Sequence, residues 1–295
     1  MKVTTAVIFA SGFGSRMLPV TAAVQKELLP ILDRPVIDYV VSDCIAAGIS
    51  QIIFVIRPNS HALQDYYVGN TVLESHLERF GKHDAIEKLR DIHSQATFTF
   101  VEQPESAGYG TGAPLKVAIP HLPKDEAFVV CSGDDFLWRT DGGSDMKALV
   151  EAFSAAQAVG AIMSLERPDE ELHKYGVLEV AQEGEWEYLR EFVEKPAAGE
   201  APSNMINISK YIMTPQMIPY VKAVKVNSKS GGELYVTDAV AAAAKDHKIV
   251  VQRAQGAYLD SGSAAGWLKA NLTVAASRPE MADVLADRDN FVTKH

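Results

Sequence analysis

Apolar runs that alternate with amphipathic stretches predict an α/β fold. Residues 5–9 form a short apolar run, typical of a strand that is covered on both faces. In residues 37–45 the apolar positions recur at the i, i+3, i+4, i+7 and i+8 spacing of a helix, with Asp33 as its expected cap and Gly48 as its expected end. Residues 51–56 return to an apolar strand. This order predicts a parallel sheet with a right-handed crossover.

The rest of the chain continues this pattern. Residues 60–93 are more polar and predict helices outside the sheet. Further strands are predicted at residues 97–101, 127–131, 161–165, 176–180, 189–193 and 204–212, and further helices at 146–157, 237–244 and 264–276. Because no internal repeat and no low-complexity linker interrupts them, the sequence favours a single domain over residues 1–295.

Composition narrows the class of protein. The chain has 295 residues, 47% of them hydrophobic, and a net charge of -10. That charge argues against a nucleic-acid or membrane-surface partner. No stretch approaches the roughly 18 apolar residues of a membrane span, and the N-terminus reads as a first strand and not as a signal peptide. Cys44 and Cys131 lie in apolar runs without metal-ligand spacing. They are expected to be reduced core thiols, as in a cytoplasmic protein.

A glycine-rich loop follows the first strand. Gly12 and Gly14 would let the backbone approach a phosphate, and Arg16 and Lys26 add two cations. The loop is not a dinucleotide fingerprint, which would need a third glycine where Met17 stands. It is not a P-loop either, because the Gly-Lys-Ser/Thr sequence of a P-loop is absent. The pattern suits a triphosphate whose outer phosphates leave as pyrophosphate. The alternative is a tight turn with solvated charges.

Several motifs in order carry a family resemblance. Residues 10–19, followed by Lys-Glu-Leu-Leu-Pro at residues 26–30, resemble the signature of sugar-nucleotide pyrophosphorylases, and most closely the bacterial UTP–glucose-1-phosphate uridylyltransferases. The similarity spans nearly the whole chain. Its further segments are residues 35–41, 44–49, 102–104, 108–112, 175–177, 193–196, 232–239 and 260–263.

The resemblance implies a fold and an organisation. The expected fold is a Rossmann-like, three-layer α/β/α sandwich with a mixed, mostly parallel central sheet. A single nucleotidyltransferase domain would comprise a nucleotide-binding part near residues 1–135, a sugar-phosphate part near 136–262 and C-terminal helices near 263–295. The family also implies a homodimer or homotetramer, for which the apolar positions of residues 264–276 could form the interface.

The resemblance also assigns the nucleotide to particular residues. Gln103 would read the base, because a carboxamide both donates and accepts hydrogen bonds, and Gly108 would complete the reading with backbone groups. Arg16 and Lys26 are candidate catalytic residues that would neutralise the triphosphate and the departing pyrophosphate. The full set of candidate nucleotide-binding residues is Ala10, Ser11, Gly12, Gly14, Gln103 and Gly108.

Two further groups follow from the resemblance. Asp134 and Asp260 would bind Mg²⁺, a cation that prefers oxygen ligands; the neighbouring Asp135 is a weaker candidate, because Asp134 matches the family position after the strand. Lys195 would be catalytic and would hold the phosphate of the sugar-1-phosphate. Glu194 would accept hydrogen bonds from sugar hydroxyls, and the backbone at Gly176 would let the sugar approach.

These parts imply a reaction in nucleotide-sugar biosynthesis. The sugar phosphate would attack the α-phosphorus of UTP in line, giving UDP-glucose and pyrophosphate without a covalent intermediate. Two departures keep alternatives open: the family's second lysine is missing near Ala22, and Gly133 replaces a proline common in the uridylyl branch. The alternatives are transfer from dTTP, transfer to another sugar-1-phosphate, and a non-catalytic regulatory paralogue.

Overall fold

The computed structural model describes residues 1–69, 71–226 and 231–287. Residues 288–295, at the end of the predicted C-terminal helices, lie outside the described residues. The α-helices are α1 Val36–Ala46, α2 Ala62–Val68, α3 Thr71–Arg79, α4 His83–His93, α5 Gly112–Ala118, α6 Asp145–Ala156, α7 Ile218–Ala223, α8 Val236–Ala244, α9 Ala264–Ala276 and α10 Ala282–Ala286.

The strands follow the predicted α/β pattern and add several short ones. They are β1 Val3–Ala10, β2 Pro30–Ile31, β3 Arg34–Pro35, β4 Gln51–Ile56, β5 Thr97–Glu102, β6 Ala127–Ser132, β7 Asp135–Trp138, β8 Gly160–Glu166, β9 Gly176–Glu183, β10 Trp186–Glu194, β11 Met205–Met213, β12 Ile249–Arg253 and β13 Ala257–Asp260. All the predicted strands and helices are present, with ends shifted by at most a few residues.

In the described part of the chain, nine strands form one mixed sheet in the order β5-β4-β1-β6-β11-β8-β12-β10-β9. The first four are parallel to one another, as are β8 and β12. Strands β10 and β11 run against the others. The predicted parallel pair of β1 and β4 is confirmed, with Thr5 opposite Gln51 and Ala10 opposite Ile56.

The chain divides into two compact units. The first consists of residues 1–12, 41–132 and 144–255 and contains the nine-stranded sheet with helices α2 to α8. The second consists of residues 13–40, 133–143 and 256–295, and its described part contains the β2–β3 and β7–β13 pairs with α9 and α10. The single domain over residues 1–295 stays a prediction.

The core of the first unit lies along the sheet. Strands β1, β4 and β6 are almost continuously buried, and α5 packs against β1, β4 and β5. Cys44 and Cys131 are buried and free of disulfides, as predicted. No helix within the described residues has the length and apolar character needed to cross a bilayer.

The predicted cap of α1 is wrong. The helix begins at Val36, and the preceding residues 34–35 pair with 30–31 as a short antiparallel ladder. Leu32 adopts a left-handed φ of 58° in the turn between these strands, and the Asp33 carboxylate lies 2.7 Å from Nη2 of Arg278. Asp33 is therefore a turn residue with a distant ion-pair partner. Gly48, with φ of 87°, follows the end of α1 as predicted.

Candidate active site

The carboxamide of Gln103 is held at both ends in the first unit. Ser11 follows β1, and its Oγ donates to Oε1 of Gln103 over 2.6 Å. Nε2 of Gln103 donates to the carbonyl oxygen of Gly108 over 2.9 Å. Gly108 has φ of 89°, a conformation that favours glycine. Since an amide group has two N–H donors and two lone pairs, this arrangement fixes the orientation of Gln103 and leaves one donor and one acceptor for a ligand.

The second glycine of the loop belongs to the second unit and is sterically required. Gly14 has φ of 67°, and a Cβ placed there would lie 2.9 Å from Cγ2 of Thr21 and 3.2 Å from Cβ of Lys26. The Thr21 hydroxyl donates to the carbonyl oxygen of Gly14 over 2.9 Å. Gly14 thus allows the loop to close tightly over the segment that carries Lys26.

Lys26 forms an ion pair with a predicted metal ligand. Its Nζ lies 2.7 Å from Oδ2 of Asp134 and 3.5 Å from Oε1 of Glu27. The Lys26 side chain is 16% exposed and that of Glu27 is fully buried. Burial alone would lower the pKa of Lys26, but the carboxylates of Asp134 and Glu27 outweigh it and hold that pKa well above its usual value. Both carboxylates therefore favour the charged form of Lys26.

Asp134 also converges with two more predicted side chains, Arg16 and Asp260, around Gly262 in the same unit. A Cβ at Gly262 would lie 2.8 Å from Nη2 of Arg16, 2.9 Å from Oδ1 of Asp260 and 3.1 Å from Oδ2 of Asp134. The backbone N–H of Gly262 donates to Oδ1 of Asp260 over 2.8 Å. The absence of a side chain at residue 262 therefore leaves space in which both carboxylates and the guanidinium meet.

The structure separates Asp134 from its neighbour Asp135. Asp135 lies opposite Asp260 in the β7–β13 ladder, and its Oδ2 accepts a hydrogen bond from Oη of Tyr258 over 3.3 Å. The carboxylate near Lys26 and Gly262 is that of Asp134. This geometry supports the sequence-based preference for Asp134, which remains a prediction as regards metal binding.

The donor set around Gly262 fits a magnesium ion that shares its coordination with a ligand. Mg²⁺ commonly takes one or two protein carboxylates and completes its shell with water and phosphate oxygens. Asp134 and Asp260 supply two such carboxylates. Among the described residues no group of three or more His, Cys, Asp or Glu side chains is placed to hold a metal.

The predicted sugar residues lie together in the first unit, where β9 and β10 meet. Gly176 pairs with Glu194 across the two strands. A Cβ at Gly176 would lie 2.5 Å from Cε2 of Phe192 and 2.9 Å from Oε2 of Glu194, so a larger residue would displace both side chains. Burial raises the pKa of Glu194.

Lys195 follows directly in a strained conformation. Its φ is 46°, and its backbone N–H donates to the carbonyl oxygen of Tyr175 over 3.0 Å. Such left-handed conformations of non-glycine residues are concentrated at functional sites. Its Nζ donates to Oη of Tyr235 over 3.3 Å and lies 3.7 Å from Oε2 of Glu233. The ammonium therefore has two polar contacts although the side chain is 47% exposed.

The predicted site residues thus divide between the two units. In the first unit, the structure brings Ser11 to Gln103 and Gly108, and it brings Gly176 to Glu194 and Lys195. Gly12 and the buried Ala10 belong to this unit as well. In the second unit it brings together Gly14, Arg16, Lys26, Asp134 and Asp260.

Sequence reasoning missed four residues of these clusters. Glu27 is a fully buried carboxyl beside Lys26, and Gly262 leaves the space between the carboxylates. Tyr235 and Glu233 contact the ammonium of Lys195. All four lie inside motifs that carry the family resemblance, so position in a motif was the available signal.

Comparison with known proteins identifies a family. The family model for nucleotidyl transferases matches residues 5–277. The UTP–glucose-1-phosphate uridylyltransferase of Bacillus subtilis (strain 168) is 32% identical over 286 residues, covering 96% of this chain and 95% of the relative.

Two solved structures are similar over nearly the whole chain. A UTP-bound UGPase from Acinetobacter baumannii matches with a TM-score of 0.86 and 28% identity, covering 100% of both chains. A UDP-glucose pyrophosphorylase in complex with UDP-glucose matches with a TM-score of 0.83 and 28% identity, covering 94% of this chain and 100% of the other.

The Lys26–Asp134 ion pair predicts a pH-dependent loss of stability. Lys26→Met would remove the ammonium from beside two largely buried carboxylates, those of Glu27 and Asp134, and should lower the free energy of unfolding by about 3 kcal/mol at neutral pH. Burial already raises the pKa of Glu27, and Lys26 lowers it. Without Lys26 the pKa of Glu27 in the folded chain should rise further than in the wild-type protein, so acidification should restore part of the loss.

Urea denaturation of the wild-type protein and of Lys26→Met, each at about pH 7.5 and about pH 5, measures the loss of unfolding free energy and its dependence on pH. The control is Lys269→Met, which removes an exposed lysine on α9. Two results would contradict the stabilising role of this ion pair. In one, Lys26→Met loses no more unfolding free energy than Lys269→Met does; in the other, its loss grows as the pH falls.

Proposed function

This chain belongs to the nucleotidyl transferase family, and we propose that it transfers a uridylyl group from UTP to glucose-1-phosphate, giving UDP-glucose and pyrophosphate. The observation that carries the proposal is similarity to a UTP–glucose-1-phosphate uridylyltransferase over 96% of this chain. The UTP and UDP-glucose complexes of the similar structures support the same donor and product.

Gln103 would select the base. Uracil offers two carbonyl acceptors and one N–H donor on its polar edge. The donor and acceptor that Gln103 retains can pair with one carbonyl and the N–H. Because Ser11 and Gly108 already fix the amide, little orientational freedom is lost on binding. The backbone of Ala10, Gly12 and Gly14 would contact the nucleoside and phosphates.

Charge neutralisation would drive the departure of pyrophosphate. Arg16 and Lys26 would contact the phosphates, and Lys26 stays charged because its pKa is raised. Asp134 and Asp260 would hold Mg²⁺, which when bound would neutralise further negative charge on the phosphates. Positioned cations stabilise charge that develops on a leaving group without reorganising during the reaction.

Lys195 and Glu194 would hold the acceptor. The Lys195 ammonium would bind the phosphate of glucose-1-phosphate, and Glu194 would accept hydrogen bonds from sugar hydroxyls. Gly176 would leave room for the sugar beside the β9–β10 pair, where a Cβ would collide with Phe192 and Glu194. A phosphate monoester is already nucleophilic at neutral pH, so these residues need only align it with the α-phosphorus of UTP. One in-line displacement then suffices, without a covalent intermediate.

We also propose the finer features of architecture and assembly. Strands β1, β4 and β5 step one way across the sheet and β6 lies on the other side of β1. With right-handed crossovers, this reversal puts helices on both faces, as in a three-layer α/β/α sandwich. Leu268 and Leu272, exposed one turn apart on α9, support a homodimer or homotetramer. The free buried cysteines fit a cytoplasmic protein.

The direct test is pyrophosphate release with Mg²⁺ and glucose-1-phosphate across UTP, dTTP, CTP, ATP and GTP. We expect release with UTP well above that with the other nucleotides. Release with dTTP instead would assign the chain to thymidylyl transfer. Release with none, repeated with other sugar-1-phosphates, would favour the non-catalytic paralogue.

Gln103→Ala should erode the preference for UTP over CTP. Cytosine presents an amino group where uracil has a carbonyl, so the fixed amide discriminates between them, whereas uracil and thymine present the same edge. Loss of one discriminating hydrogen bond should reduce the UTP:CTP ratio of kcat/KM roughly tenfold.

Gln182→Ala is the matched control, because Gln182 is an exposed glutamine whose Nε2 also donates to a glycine carbonyl, that of Gly184. An unchanged UTP:CTP ratio in Gln103→Ala would remove Gln103 from base recognition.

A further inference from the structure

We infer that Tyr235 is a positioning residue for Lys195 and that, together with Glu233, it holds the ammonium where the acceptor's phosphate binds. The inference rests on the proposed function, because it concerns the phosphate of a sugar-1-phosphate. Tyr235 and Glu233 lie in a motif, residues 232–239, to which the proposed reaction assigns no role.

The contact is a hydrogen bond more than a cation–π interaction. Nζ of Lys195 lies 3.3 Å from Oη of Tyr235 but 5.0 Å from the centre of its ring. The phenolic oxygen therefore accepts a hydrogen bond from the ammonium, and its own O–H group remains able to donate one. Burial and, after it, the nearby Glu233 raise the pKa of Tyr235, which favours the protonated hydroxyl. Lys195 therefore contacts both Tyr235, by a hydrogen bond, and Glu233, by an ion pair.

Lys195 needs such a contact. Its backbone is fixed by the bond to Tyr175, but the side chain is long and nearly half exposed. A lysine side chain that is free in solution loses much rotamer freedom when it binds a ligand. Prior contact with Tyr235 removes part of that freedom before the ligand arrives, which favours binding.

Tyr235 is in turn fixed by the backbone around it. The N–H of Leu234 donates to the carbonyl oxygen of Tyr109 over 2.7 Å, and the N–H of Gly112 donates to that of Leu234 over 2.7 Å. The N–H of Val236 donates to Oγ1 of Thr111 over 3.0 Å. These bonds clamp residues 234–236 on both sides of Tyr235.

Gly110 makes the clamp possible. A Cβ at this residue would lie 2.4 Å from the carbonyl oxygen of Leu234. The segment that holds Tyr235 is therefore in direct contact with residues 109–112. That stretch begins one residue after Gly108, the hydrogen-bond partner of Gln103. Residues 108–112 therefore contact both the segment that carries Tyr235 and the amide of Gln103.

Glu233 leaves the ammonium available to a ligand. At 3.7 Å its carboxylate is an ion-pair partner too distant for a strong hydrogen bond. A phosphate dianion carries more charge and can approach closely, so it can displace Glu233 while Tyr235 keeps its contact. This arrangement favours an acceptor with a terminal phosphate over a neutral sugar.

Tyr235→Phe tests the inference, because it removes the hydroxyl and keeps the ring. We expect the KM for glucose-1-phosphate to rise roughly three- to tenfold, with the KM for UTP changed less than about twofold. In a Lys195→Ala background the same change should have no further effect, since Tyr235 acts through Lys195. Tyr220→Phe is the matched control, because it removes a hydroxyl that donates to the carboxylate of Asp246.

Three results would overturn the inference: an unchanged KM for glucose-1-phosphate, an equal rise in both KM values, or an additive effect in the Lys195→Ala background. A wild-type protein without activity would instead refute the proposed function.

If the wild-type protein is inactive, a measurement without substrate still tests whether Tyr235 positions Lys195. Burial lowers the pKa of Lys195, and contacts with Tyr235 and Glu233 outweigh it and raise that pKa. Tyr235→Phe should therefore increase the rate at which acetic anhydride acetylates Lys195. Mass spectrometry measures this rate, with the acetylation of Lys248 as an internal reference. An unchanged relative rate would show that Tyr235 does not hold the ammonium.

Discussion

The ion pair between Lys26 and Asp134 is the interaction on which the second unit's site depends. The substrates of the proposed reaction are polyanions, whereas the chain has a net charge of -10. Binding them therefore requires a local concentration of cations. Lys26 is kept in place and kept charged by Asp134 and Glu27. The carboxylate that stabilises this ammonium is also one of the two that fit Mg²⁺. Under the proposed function, Lys26 would be the cation that this cluster holds for a phosphate.

Missing side chains shape the sites as strongly as charged ones do. Gly262 leaves the space in which Asp134, Asp260 and Arg16 converge, and Gly176 leaves the space beside Glu194. Gly14 and Gly110 permit close contact of the backbone with neighbouring segments. These glycines come from separate parts of the sequence. Each allows backbone or charged groups within its unit to approach one another closely.

The sequence predicted the framework well, because long periodic elements carry their own signal. Strands β1, β4 and β6 and helices α1, α6 and α9 lie where hydrophobic spacing predicts them. The short strands β7 and β13 were missed, since each is defined by pairing with the other across more than a hundred residues. The cap assigned to Asp33 was wrong because residues 34–35 pair with residues 30–31, so that the helix begins only at Val36.

The site was predictable only in part. Glycines and cations after β1 pointed to a phosphate loop, and family motifs supplied Gln103, Asp134, Lys195 and Asp260. Their partners could not be read from spacing. Tyr235 lies forty residues beyond Lys195, and the burial of Glu27 depends on the packing around it.

The central claim is a single in-line displacement on the α-phosphorus of UTP, and stereochemistry tests it most directly. The protein would be given one diastereomer of UTP that carries sulfur on the α-phosphate, together with glucose-1-phosphate and Mg²⁺. The configuration at phosphorus in the sulfur-containing UDP-glucose would then be determined. The account predicts inversion, because the acceptor attacks opposite the departing pyrophosphate. Retention would contradict it, since two successive displacements through a covalent intermediate would then be required.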